Sequence, residues 1–159
     1  MLRLTMVVLI GILLVSEGAV CAGELEIWTQ TLPPRLLRTV PVHIAERFTV
    51  TWEHSVEHLQ WRETYQITST GRLRLLSSST QGYGAGTPDR QQEGAGFRME
   101  QGWLINEPVG LELDALPIGL SRLAPHWLQS GDLRLSLLDI AGEQAILLRP
   151  SHGVAANHP

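Results

Sequence analysis

Lysine is absent from all 159 residues, and each of the twelve basic residues is arginine. That excludes Schiff-base catalysis and the phosphate-cradling lysine of a P-loop on this chain. Cysteine occurs once, at Cys21. The net charge is −4 and the arginines are dispersed. Nucleic-acid binding needs a basic stripe, so that class of partner is excluded. Long helical periodicity with caps is also missing. The longest apolar run, Met6 to Val15, is about half of the roughly 20 residues a membrane-spanning helix requires.

What stands at the front of the chain reads as an export signal over residues 1–22. Arg3 supplies the positive start, Met6 to Val15 the apolar centre, and Val20-Cys21-Ala22 a small-residue cleavage site. Cleavage after Ala22 leaves 137 residues without cysteine, so no disulfide forms even in an oxidising compartment. The expected location is the periplasm, with no transmembrane helix in the mature chain. Lipid attachment at Cys21 is disfavoured, because Val20 stands where such sites want Gly, Ala or Ser.

The remainder is one domain of short strands, expected over residues 23–149, with a polar, disordered tail over 150–159. Glu24 to Gln30 reads as a first strand and Leu36 to Val42 as an edge strand interrupted by Pro41. Arg72 to Ser77, Phe97 to Glu100, Trp103 to Ile105, Leu111 to Leu113, Leu133 to Leu137 and Ala145 to Leu148 follow as strands. Ser121 to Gln129 reads as a loop or a single helical turn, broken at Pro125. The expected fold class is all-β: a single-domain antiparallel β-sandwich or partly open barrel with at most one short helix.

The chemistry concentrates in one stretch, His54-Ser55-Val56-Glu57-His58-Leu59-Gln60-Trp61-Arg62-Glu63. Before it, Phe48, Val50, Trp52 and His54 alternate with Thr49, Thr51 and Glu53. After it, Trp61, Glu63, Tyr65 and Ile67 alternate with Arg62, Thr64 and Gln66. Period-two alternation marks half-buried strands. A hairpin pairing Phe48 with Ile67, Trp52 with Glu63 and His54 with Trp61 makes His54 and Glu63 diagonal neighbours, roughly 7–8 Å apart. Two readings of that pair stay open: a functional acid and imidazole in an apolar cavity, or a structural hydrogen bond. The same residues also fit a short helix over 52–60. His54-x-x-Glu57-His58 then matches the inverted zinc-peptidase pattern H-x-x-E-H, giving a metal-dependent hydrolase with His54, Glu57 and His58 as the alternative. In a strand the two histidines lie about 13 Å apart, too far to share a metal. Ser55 adjoins His54, but no G-x-S-x-G elbow occurs. Gln81 to Pro88 (QGYGAGTP) is a glycine-rich stretch whose backbone N–H groups suit an anion or carboxylate. The five tryptophans read as core or cleft wall, and His126, His152 and His158 as solvated.

Taken together, Phe48-x-x-x-Trp52-x-His54-Ser55-Val56-Glu57, then Trp61-x-Glu63-x-Tyr65, then Tyr83-Gly84-Ala85-Gly86-x-Pro88 resembles the domain of unknown function 1850 family. That bacterial family is found beside TAXI-type TRAP transporters. The resemblance covers about residues 24–140 and is specific in the first half. His58 is not part of the family's pattern, and Gly82 departs from the small polar residue expected there. The resemblance implies an exported accessory component of a tripartite uptake system rather than an enzyme, with no cofactor. Its partners would be the transporter's membrane or solute-binding subunit, or a small polar solute. The positions it carries over as binding or motif residues are His54, Ser55, Glu57, Glu63, Tyr83, Gly84, Ala85, Gly86 and Pro88, with the glycine-rich loop expected to fold over the hairpin mouth.

Overall fold

The computed structural model describes residues 23–82 and 96–151. The expected signal segment, the glycine-rich stretch with Tyr83, Gly84, Ala85, Gly86 and Pro88, and residues 152–159 lie outside the described residues. The described residues form twelve strands and one short helix. A small sheet has the order β2-β1-β12-β9, from β1 (Glu24–Thr29), β2 (Leu36–Pro41), β9 (Leu116–Gly119) and β12 (Ala145–Pro150). A large sheet has the order β11-β10-β3-β4-β5-β7-β6, with β8 (Glu112–Leu113) also paired to β5. Its members are β3 (Arg47–Glu53), β4 (Gln60–Ile67), β5 (Leu73–Gln81), β6 (Phe97–Glu100), β7 (Trp103–Asn106), β10 (His126–Ser130) and β11 (Leu133–Ser136). Every ladder is antiparallel. Both sheets stay open, so the fold is a sandwich and not a closed barrel.

The sandwich follows from alternation. Leu25 and Ile27 of β1 and Ile146 and Leu148 of β12 are fully buried, as are Phe48 and Leu73 from the large sheet. They join one core cluster between the sheets. Burying such side chains contributes about 1.5–3 kcal/mol each. β2 is the edge strand its proline suggests, since Pro41 has no N–H to donate to a further neighbour.

Five expectations need correction. The β3–β4 hairpin is shifted by two residues: Phe48 lies opposite Tyr65, Val50 opposite Glu63 and Trp52 opposite Trp61. A shift of two preserves the faces. It also matches like with like, stacking Phe48 on Tyr65 and Trp52 on Trp61 and setting Thr49 beside Thr64. Such cross-strand pairs contribute about 0.2–1 kcal/mol each. The helix weighed over 52–60 is a tight turn, closed by the His54 N–H donating to Leu59 O and the His58 N–H donating to His54 O. His58 adopts φ 55°, which no continuing helix permits.

Residues 126–130, read as loop or turn, form β10, because His126, Leu128 and Ser130 alternate with Trp127 and Gln129 once Pro125 is passed. Leu137 does not extend β11 but begins the helix α1 (Leu137–Ala141), which Ser136 caps by accepting the Asp139 N–H. Pro150, assigned to a disordered tail, ends β12 opposite Leu25.

Candidate functional site

The inward face of the large sheet is built in three rows, each running across β10, β3, β4 and β5. The deepest is Ser130, Phe48, Tyr65 and Leu75; Phe48 and Tyr65 are buried and stacked with centroids 5.6 Å apart. The middle row is Leu128, Val50, Glu63 and Ser78. The outer row is His126, Trp52, Trp61 and Thr80. Across from the middle and outer rows, β9 of the small sheet presents Leu116, Pro117, Ile118 and Gly119. Together with Val50, Trp52, Glu63 and His126 they line a cleft of about 270 Å³ between the sheets.

Two ionisable groups stand in this largely apolar cleft. Burial raises the Glu63 carboxyl above its ordinary value, partly offset by the Tyr65 hydroxyl, which donates to Glu63 Oε2 at 2.5 Å. Burial also raises the Tyr65 hydroxyl, and the neighbouring Glu63 carboxylate adds to the rise. His126 is displaced the other way: burial lowers it, with a smaller opposing effect from the Ala124 carbonyl. Its Nδ1 lies 2.8 Å from Ala124 O, so the proton sits on Nδ1. Nε2 is then the acceptor of a neutral imidazole. Each group is biased toward its uncharged form by removal from water.

An aromatic ladder runs along the outer row. His126 stacks on Trp52 at 5.5 Å, Trp52 on Trp61 at 5.8 Å, and the His54 ring tilts against Trp61 at 6.2 Å. At its His54 end three buried polar atoms have no hydrogen-bond partner: His54 Nδ1, Trp61 Nε1 and Thr80 Oγ1. Buried polar groups are normally paired, so these three unpaired atoms mark the His54 end of the ladder as unusual.

A family model described as Domain of unknown function (DUF1850) matches residues 48–137. The chain belongs to this family. No curated protein and no solved structure matches the chain. The DUF1850 match begins inside β3 and ends at the first residue of α1, so it takes in β4 to β11 whole and leaves out β1, β2 and β12. The cleft and the aromatic ladder therefore lie wholly inside the DUF1850 portion.

Within it, the residues singled out from sequence separate. Glu63 faces the cleft as expected. His54 is on the same side but leaves the strand and packs on Trp61, so Trp61 stands between it and Glu63. The imidazole in the cleft comes instead from His126 on β10. That histidine, read as solvated, is half-buried against Trp52; the signal was the alternation after Pro125. Ser55 is exposed at the turn and Glu57 is half-buried there. His58 is exposed and bonded through Nδ1 to Glu53 Oε1 at 2.8 Å, away from the His54 ring. Among the described residues, no group of three or more His, Cys, Asp or Glu is placed to hold a metal ion.

Proposed function

We propose that this DUF1850 chain is an exported, non-catalytic binding domain serving a TAXI-type TRAP solute uptake system. In this reading it works in the periplasm, and the cleft between the sheets grips a small polar ligand or a side chain of a transporter subunit. The observation that carries the reading is the cleft itself, an apolar slot holding a carboxyl and an imidazole with perturbed protonation. Pockets of this make-up, mostly apolar with a few convergent polar groups, are the usual form of a recognition site. At about 270 Å³ it falls just below the range usual for drug-sized ligands, which suits a small ligand or a single side chain. The residue chemistry supports binding over turnover. Glu63 is already engaged by the Tyr65 hydroxyl, and Ser78 opposite it on β5 is not among the residues lining the cleft. The transporter association rests on the order and spacing of the motif residues His54, Ser55, Glu57, Glu63 and Tyr65.

Co-purification of the full chain with the transporter's membrane and solute-binding subunits tests the association. Retention on either subunit is expected; clean failure with both refutes it. Gly119→Leu tests the cleft. A Cβ built on Gly119, an exposed residue of the cleft lining, meets nothing within 4 Å, so a leucine is accommodated there without a clash. It is expected to abolish retention at an unchanged melting temperature. Fractionation of expressing cells checks export, and a cytoplasmic full-length chain would contradict it.

A further inference from the structure

The outward face of the same strands carries a second site. A groove of about 540 Å³ crosses β11, β10, β3 and β4, floored by Thr49 and Thr51 and walled by Arg47, Arg62 and Arg134. No carboxylate is among its lining residues that the structure describes. This is unusual on a chain of net charge −4. Ten of the twelve arginines are among the described residues. Arg72, Arg74, Arg98, Arg122 and Arg149 each hold a carboxylate. Of the five that hold none among the described residues, three wall this groove.

Asp132, between Gly131 and Arg134 in sequence, is not among the lining residues, and two other neighbouring acids are engaged elsewhere. Glu53, on the same face, gives its oxygens to His58 and Gln60. Glu46, next to Arg47, accepts from the His43 N–H and the Ser130 hydroxyl. Two of the three guanidinium groups are held in place by stacking. Arg62 lies 4.4 Å over the Trp103 ring and Arg134 lies 4.6 Å over Trp127. A stacked guanidinium keeps its N–H edges free in the plane, the arrangement that grips a carboxylate or phosphate through paired hydrogen bonds. Strand spacing and rise put the Cα atoms of the three arginines about 12–16 Å apart. That frame surrounds a small molecule rather than a long polymer.

We propose that this groove binds a small organic anion bearing a carboxylate or phosphate group, on the opposite face of the large sheet from the cleft and independently of it. Its volume lies within the usual range for small-ligand sites. Arg62 and Arg134 supply the paired donors, Arg47 adds positive potential, and the threonine hydroxyls of the floor complete the polar contacts.

Titration calorimetry on the full chain tests this with four probes: succinate, inorganic phosphate, the uncharged analogue succinamide, and polyglutamate. Succinate or phosphate should bind saturably, more weakly as ionic strength rises, and succinamide should not bind. Binding of succinate alone identifies a carboxylate ligand, and of phosphate alone a phosphorylated one. Arg62→Gln and Arg134→Gln should each weaken the bound anion about tenfold or more, with melting temperatures measured alongside. Arg134 is exposed at the β11 edge, so its variant folds even where Arg62→Gln does not. Arg72→Gln, at an arginine already paired with Glu112 and Asp114, should leave affinity unchanged. The proposal is overturned if neither small anion binds, if only polyglutamate binds, if succinamide binds as well as succinate, or if Arg72→Gln loses as much as the groove variants.

Discussion

The inward and outward faces of β3 and β4 come from alternate residues of the same two strands. Inward stand Phe48, Val50, Trp52, Trp61, Glu63 and Tyr65; outward stand Arg47, Thr49, Thr51, Arg62 and Thr64. The inward acid is pushed toward neutrality by burial, while the outward arginines wall an open groove. A step of one residue along a strand thus decides whether an ionisable side chain is tuned by desolvation or offered as a free charge. Sites of opposite character share one scaffold because the strand alternates, not because the chain has two domains.

The largest predicted contrast is in stability. Phe48→Ala removes the fully buried partner of the Tyr65 stack and should lower unfolding free energy by about 3–5 kcal/mol in denaturant titration. Thr49→Ala, the next residue on the outward face, should stay within about 1 kcal/mol. Equal losses at the two positions would break the comparison.

Protonation sharpens it. The Glu63 carboxyl is raised by burial, so the folded state holds its proton more tightly than the unfolded chain does. The matching stability is fully present below the ordinary glutamate value and is lost as pH rises through the raised one. Glu63→Gln keeps a carbonyl for the Tyr65 hydroxyl and cannot ionise. Its melting temperature relative to the parent should therefore climb from pH 4 to pH 8. His126 is lowered, so its contribution is present above the ordinary histidine value and is lost as pH falls through the lowered one. His126→Gln should flatten the acid side of the melting profile, the reverse of the Glu63 variant. Parallel shifts in the two variants would show that burial does not govern these groups. The smallest effect belongs to the exposed His58–Glu53 pair. His58→Ala should change stability by about 0.5 kcal/mol or less, as solvent screens such contacts.

Much of this was legible beforehand for a physical reason. Alternation names the faces of β1, β3, β4 and β12 directly, and a two-residue slip leaves faces intact, so Glu63 was correctly placed inward even with the wrong partner. What the pattern could not supply was register, which depends on whether Trp52 meets Trp61 or Glu63 across the strands. It also missed β10, where a proline ahead of His126 looked like an interruption, and the last four residues of β5, where Ser78 to Thr80 breaks the apolar rhythm while pairing on both sides. The groove arginines carry no local signature. Arg47, Arg62 and Arg134 come together only because β11, β10, β3 and β4 lie side by side, and ion-pair partners are knowable only in three dimensions.

The pairing of β1 with β12, Leu25 against Pro150 through Thr29 against Ile146, has a consequence for the order of assembly. The first described strand waits for the last before its inner flank is covered, and Ile146 and Leu148 then complete the packing around Leu25 and Ile27. Closure of the small sheet is thereby coupled to the arrival of β12, a contact distant in sequence and so slow to form. A chain halted before Ala145 leaves Leu25 and Ile27 without the Ile146 and Leu148 that cover them, so that half of the interior stays unpacked until β12 is added.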